Sequence, residues 1–170
     1  APRTRRNLLH QPDLLWRAEE YRQRLGDDSY FEFIREEFAD LDSTRPLDSM
    51  LRALVSLPFA HVLTTNYDNV LECAHEQSAL PRFESIEWTD DDAVREFLTN
   101  LTSPVRRYVH LHGRASRPRT VVLTDQDYVN RYARSVDAHR KLFALFATQR
   151  LVFVGFSLSD PELSALLREV

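Results

Sequence analysis

Three short polar clusters in this chain have residue types that could do chemistry, and each directly follows an apolar run. The first is Thr65-Asn66-Tyr67-Asp68, after His61-Val62-Leu63-Thr64. The second is His110-Leu111-His112-Gly113, and the third is Gly155-Phe156-Ser157, after Leu151-Val152-Phe153-Val154. Histidine is the side chain whose ordinary pKa lies nearest neutrality, so His112 is the candidate general base. Gly113 lets the backbone turn at once and is expected to expose the His112 ring at the sheet edge. Asparagine is a poor proton acceptor, but its carboxamide both donates and accepts, so Asn66 can hold a water or a sugar hydroxyl. A glycine straight after a buried strand lets a ligand approach the backbone, and Ser157 adds a hydroxyl beside Gly155. An Asn–His pair with no nucleophilic Ser or Cys and no metal set suits activation of water or a hydroxyl toward a glycosidic carbon. A nucleophile triad and a metal centre fare worse. Cys73, the one cysteine, falls in a helical pattern, and no His, Asp or Glu cluster has recognisable ligand spacing. Each cluster also has a plain structural reading: Asx residues favour turns, Asp68 can cap the next helix, and a histidine at a strand end is commonly structural.

The elements that must position these residues follow from periodicity. Helices are predicted over 13–25, with Asp13 as N-cap and Gly26 as stop, over 30–40 with Ser29 as cap, and over 46–56 with Pro46 near the start. Pro58 then breaks the chain. From there strands and helices alternate: strand 60–65, helix 69–77, a weak strand 83–86, helix 90–101 with an acidic start, and strand 107–112. In that last strand Tyr108, His110 and His112 face one way, and Val109 and Leu111 the other. A strand over 119–123, a turn capped by Thr124, a helix over 136–149, and a doubly buried strand over 150–155 complete the pattern. Asp160 caps a final helix with Pro161 at its first position. Strand–helix alternation predicts an α/β, Rossmann-like, mainly parallel sheet with helices on both faces and a helical N-terminal portion, 1–56. Parallel strands put their carboxyl ends on one rim, so Asn66, Asp68, His112, Gly155 and Ser157 are expected to border one cleft.

Bulk composition excludes several classes. At 170 residues, 43% hydrophobic and 28% charged, the chain reads as one globular domain, 57–170 holding the sheet. No apolar run approaches the ~18 residues of a membrane span, and no signal-peptide pattern opens the chain. A single cysteine forbids an internal disulfide and fits a reducing cytoplasm. The net charge of −4 argues against nucleic-acid binding by this domain, although Arg3, Arg5 and Arg6 make a short basic start. The chain opens on Ala1 without Met and ends in an apolar helical pattern, so a processed or partial chain is expected.

The three clusters, in this order and spacing, resemble the SIR2-like domain family, prokaryotic relatives of sirtuins found in anti-phage defence systems. Asn66 and Asp68 match the Asn and Asp of the sirtuin-type Gln-Asn-Ile-Asp motif, with Thr65 and Tyr67 at the other two positions. His112 matches the catalytic His before Gly, Gly155 and Ser157 match a later Gly-x-Ser that contacts the nucleotide, and Thr124 through Tyr128 resembles a segment that follows the His-Gly motif. The resemblance runs over about residues 46–168. It implies NAD as the substrate, no metal, and cleavage of the nicotinamide–ribose bond to nicotinamide and ADP-ribose or a cyclised form. On this reading Asn66, His112 and Asp68 are catalytic, and Thr65, Asn66, Asp68, His112, Gly155 and Ser157 bind NAD. Defence by NAD depletion, with a homo-oligomer or a fused or partner defence protein, is implied as well. One cysteine cannot build the four-cysteine zinc module of sirtuin deacylases, which disfavours deacylation. The family's opening strand and Gly-Ala-Gly-x-Ser loop have no match here, since Gly26, Gly113 and Gly155 are the only glycines. Either an upstream segment is absent or the domain is degenerate, which keeps open an inactive domain that senses NAD or ADP-ribose, or an assembly domain. The sheet is then expected to have an open flank beside strand 60–65.

Overall fold

The computed structural model describes residues 13–170 apart from 43, 134, 135 and 157–159. The chain divides into two compact units, one of Tyr21–Val121 and one in which Val122–Val170 joins residues up to Glu20.

The Tyr21–Val121 unit holds the sheet. Helix α1 (Leu14–Leu25) enters it and stops at Gly26, and α2 (Asp27–Glu37) follows at once. Ser29 was expected to cap this second helix, but it lies inside α2. The helix starts three residues earlier than expected, where Asp27 and Asp28 place carboxylates at its positive end. Helix α3 (Ser49–Ser56) is capped by Asp48, whose carboxylate accepts from Met50 N at 2.6 Å. Its carbonyl end is closed from outside. The Arg106 guanidinium donates to the carbonyls of Val55 and of Leu57 (2.8 Å), and its Nε to that of Phe59 (3.1 Å). Next come β1 (Val62–Thr64), α4 (Val70–Gln77), β2 (Phe83–Glu87), α5 (Asp91–Thr99) and β3 (Arg106–His110).

The three strands form a parallel sheet in the order β1-β3-β2. Register places Thr64 and Glu87 both opposite His110, so all three strands end level. β3 is central and buried along Arg107–His110, as a strand covered on both faces must be. On one face α4 packs over Tyr108 and His110, with Val55, Ala74 and Tyr108 at the centre of the core and Leu51, Leu71 and Phe83 around it. On the other, α5 reaches Arg107, whose guanidinium pairs with Glu96 at 3.0 Å and with Glu84 of β2 at 2.9 Å. β1 is an edge strand, pairing only with β3 among the described residues.

Two expected strands are absent. Over 119–123 the chain instead makes a 3₁₀ turn, Pro118–Thr120, and then extends without a ladder. Pro118 has no N–H to give to a neighbour, and the Thr120 hydroxyl donates back to the Arg117 carbonyl at 2.8 Å, which keeps the turn closed. Residues 150–155 also form no strand, and Val152, Phe153 and Val154 are exposed at 66%, 45% and 59%. The described part of their own unit is otherwise helical, so it offers no strand edge to pair with.

That second unit contains α6 (Asp125–Tyr128), a π turn (Val129–Ala133), α7 (Val136–Thr148) and α8 (Pro161–Glu169). Thr124 makes the expected cap as a full capping box with Asp127, and Asp160 caps α8 by accepting from Leu163 N at 2.8 Å. Leu142, Leu145, Leu163 and Leu166 are buried, and His139 of α7 lies between Glu162 (2.7 Å) and Glu169 (3.3 Å) of α8. No described helix is long and apolar enough to cross a membrane.

Candidate functional site

Because β1 and β3 run parallel and end level, the loops that leave them meet, and the meeting is held by backbone bonds. Leu111 N donates to Thr64 O at 2.9 Å, and Ala115 N donates to Tyr67 O at 2.9 Å. The Thr65-Asn66-Tyr67-Asp68 and His110-Leu111-His112-Gly113 motifs therefore lie side by side at the carboxyl edge of the sheet, although 46 positions separate Asn66 from His112.

Each residue of the first loop has a local reason for its place. Asn66 N donates to the Thr64 hydroxyl at 3.0 Å, which turns the chain at the strand end. Thr65 is partly buried and Asn66 exposed. Asp68 is partly buried and caps α4, accepting from Val70 N at 3.1 Å. It does so from one residue before the N-cap, which is Asn69. Asn69 instead clamps residue 41: its carboxamide accepts from Leu41 N at 2.7 Å and donates to Leu41 O at 3.1 Å. Tyr67 meets Phe38 edge-on at 5.2 Å between ring centres.

The second loop differs from expectation in one respect. His112 does not stand exposed at the sheet edge; it is 3% exposed. The glycine after it explains why. Gly113 has φ +76°, and a Cβ there would fall 2.5 Å from the Thr120 carbonyl carbon, so the 3₁₀ turn packs directly against the backbone at this point. Arg114 N also donates to the Thr120 hydroxyl at 3.3 Å. The turn that sequence reasoning read as opening His112 to solvent is itself covered.

Gly155 lies in the other unit, with φ +65° and open space where a Cβ would be. Ser157 lies outside the described residues. Cys73 sits in α4, 2% exposed, and burial pushes its thiol pKa up, so it stays protonated and unreactive. Among the described residues no group of three His, Cys, Asp or Glu side chains could hold a metal ion.

Sequence reasoning missed a buried polar cluster directly behind the first loop. His110 is fully buried, its Nδ1 3.1 Å from the Asn66 carbonyl and its Nε2 2.7 Å from Glu72 Oε1. Ser85 donates to the same Glu72 oxygen at 2.7 Å. Burial pushes the Glu72 carboxyl up, but the hydrogen bond and charge of His110 and the Ser85 hydroxyl outweigh it and hold it below the ordinary range. The available signal was Glu72 itself, a lone carboxylate within Val70-Leu71-Glu72-Cys73-Ala74.

Comparison with known proteins adds to this geometry. The family model described as "SIR2-like domain" matches residues 60–170. "Defense-associated sirtuin 2" of Bacillus subtilis is 28% identical over 144 residues, covering 82% of this chain and 13% of that protein. "NAD(+) hydrolase ThsA" of Bacillus cereus (strain MSX-D12) is 29% identical over 120 residues, covering 70% of this chain and 24% of that protein. The chain thus spans about an eighth and a quarter of the length of these two relatives. A family match that runs through all three strands and both strand-end loops leads to one assignment: this chain belongs to the SIR2-like domain family.

Proposed function

We propose that this domain cleaves the nicotinamide–ribose bond of NAD+, giving nicotinamide and ADP-ribose or a cyclised form, as part of a defence protein that depletes NAD. The observation that carries the reading is the meeting of the Asn66 loop and the His112 loop at adjacent strand ends, tied by the Leu111–Thr64 and Ala115–Tyr67 backbone bonds. Family membership and the printed name of one relative, "NAD(+) hydrolase", support it.

In this scheme the C–N bond breaks heterolytically and its electron pair goes to the pyridinium nitrogen. A cationic ring therefore leaves as neutral nicotinamide, and positive charge develops on the ribose. Water, or a ribose hydroxyl for the cyclised product, forms the new bond to C1′, and His112 takes its proton. Asn66 holds the attacking water or the ribose through its carboxamide. Asp68 holds the nicotinamide carboxamide or orients Asn66. By the resemblance Thr65, Gly155 and Ser157 line the nucleotide. The reaction has no step that calls for a metal. A cytoplasmic setting and a homo-oligomeric or fused partner belong to the same proposal.

The burial of His112, at 3% exposure, favours one second reading: a domain that binds NAD or ADP-ribose without cleaving it and controls a fused or partner effector. Incubating the natural full-length protein with NAD+ and following both nicotinamide release and nucleotide binding separates the two. Release at a rate that scales with protein supports cleavage, binding without release supports the sensor, and neither would sink both.

A further inference from the structure

The Asn66 loop rests on a buried ionic pair that the cleavage scheme does not use. A backbone carbonyl can only accept, so the His110 Nδ1 that faces Asn66 O at 3.1 Å carries a proton. Nε2 faces Glu72 Oε1 at 2.7 Å, so a second proton lies between ring and carboxylate. That oxygen already accepts from the Ser85 hydroxyl at 2.7 Å, and Arg114 Nη1 stands 3.7 Å away, both of which favour the ionised carboxylate. Arg114 also donates to Ser85 Oγ at 3.2 Å and pairs with Asp40 at 3.6 Å, while Glu72 Oε2 is buried without a hydrogen-bond partner.

Stability alone gives little reason for this arrangement. A buried ion pair of this kind is commonly no more stable than apolar residues of the same volume. Its geometry is directional: Glu72 sits in the first turn of α4, just after the Asn66 loop, and through His110 it grips the carbonyl of Asn66. The grip fixes the peptide whose residue carries the proposed water- or ribose-holding carboxamide.

We propose that Glu72 and His110 are positioning residues for Asn66: the buried carboxylate holds the His110 ring through Nε2, and the Nδ1 side of the ring fixes the Asn66 carbonyl and with it the direction of the Asn66 side chain. This rests on the cleavage reading for its functional consequence and on geometry alone for the lock. Glu72→Gln keeps the shape and removes the carboxylate that holds the His110 ring. The expected cost is at least tenfold in kcat with KM changed less than threefold, since binding groups elsewhere are untouched. The loss should be specific to Asn66: in an Asn66→Ala background, Glu72→Gln should cost less than twofold more. A merely structural Glu72 would give the same factor in both backgrounds.

The test combines two measurements on the natural full-length protein. In the first, ¹⁵N-histidine NMR should show a proton on His110 Nδ1 in the wild type, and Glu72→Gln should shift the His110 ring and Asn66 carbonyl resonances. In the second, NAD+ cleavage is followed in the two single variants and the double variant. A wild type without turnover refutes the cleavage reading, while the NMR still decides the lock. A His110 Nδ1 without a proton in the wild type, an unmoved Asn66 carbonyl, or additive losses in the double variant would overturn the proposal. If Glu72→Gln fails to fold, His110→Gln is the second variant: its amide can still donate to the Asn66 carbonyl, so it should retain more activity than His110→Ala. Equal activity of those two would also overturn the proposal.

Discussion

Gly113→Ala tests whether the covered turn after β3 is what the structure says it is. Gly113 has φ +76°, where an L-residue costs about 1–2 kcal/mol. The new methyl would also stand 2.5 Å from the Thr120 carbonyl carbon, a backbone atom that cannot swing away, and 2.7 Å from the Thr120 hydroxyl oxygen. Overpacking of a rigid neighbour costs about 1–3 kcal/mol more. Stiffening of the unfolded chain by alanine offsets roughly 0.4–1 kcal/mol, leaving a net loss of about 1–5 kcal/mol. Trp88 is 1% exposed and lies in the same unit, so its fluorescence reports this unit, best in a Trp16→Phe background. With a urea m-value of about 2 kcal/mol/M, the midpoint should fall by roughly 0.5–2.5 M. Gly155→Ala is the internal control. Its φ is also positive, +65°, but nothing lies within 4 Å of the added methyl, so only about 1 kcal/mol of backbone cost is expected. Equal, small losses at the two glycines would refute the packing of the Thr120 turn on Gly113, and with it the explanation for the burial of His112.

Two other outcomes follow from named contacts. Arg106→Met keeps the aliphatic stem but strips the donors from the Val55, Leu57 and Phe59 carbonyls. It should cost about 2–3 kcal/mol by urea denaturation while leaving nucleotide binding unchanged, and a neutral result would mean that water caps α3 equally well. His139 is held above its ordinary pKa, first by its hydrogen bond to Glu162, against desolvation, with Glu169 adding to the rise. A raised folded-state pKa contributes stability that is complete below the unfolded value of about 6.5 and is lost as pH rises through the folded one. Thermal unfolding of wild type and His139→Gln should therefore differ most at pH 6 and converge at higher pH, and a difference that does not change with pH would contradict the α7–α8 clamp.

Much of the fold was legible because its signals are local. Thr124 and Asp160 each cap a helix start with a side chain three residues ahead of the bonded amide, as the sequence predicts, whereas Asp48 and Asp90, expected inside their helices, prove to be the caps. The parallel sheet was legible for β1 and β3, whose apolar runs end in polar clusters. The apolar run at 151–154 misled, because periodicity reports what a strand would look like and not whether a partner edge exists in its unit. The 119–123 stretch misled for the opposite reason: its β-branched residues suit a strand, but Pro118 and the Thr120 hydroxyl close a turn first. At the candidate site, the adjacency of Asn66 and His112 was legible through topology. The burial of His112 was not, because it depends on a turn seven residues downstream packing against Gly113. The Glu72–His110 pair was hidden for a similar reason, since it joins a helix to a strand 38 positions away.

The central claim is that His112 acts as base and Asn66 as the holder of the attacked group on NAD+. It is tested most directly by measuring nicotinamide release and NAD+ binding side by side in the natural full-length protein and in His112→Ala. The account predicts a rate loss of about 10²–10⁴-fold, the usual size of general-base catalysis, with binding weakened far less. Undiminished NAD+ cleavage by His112→Ala would contradict it.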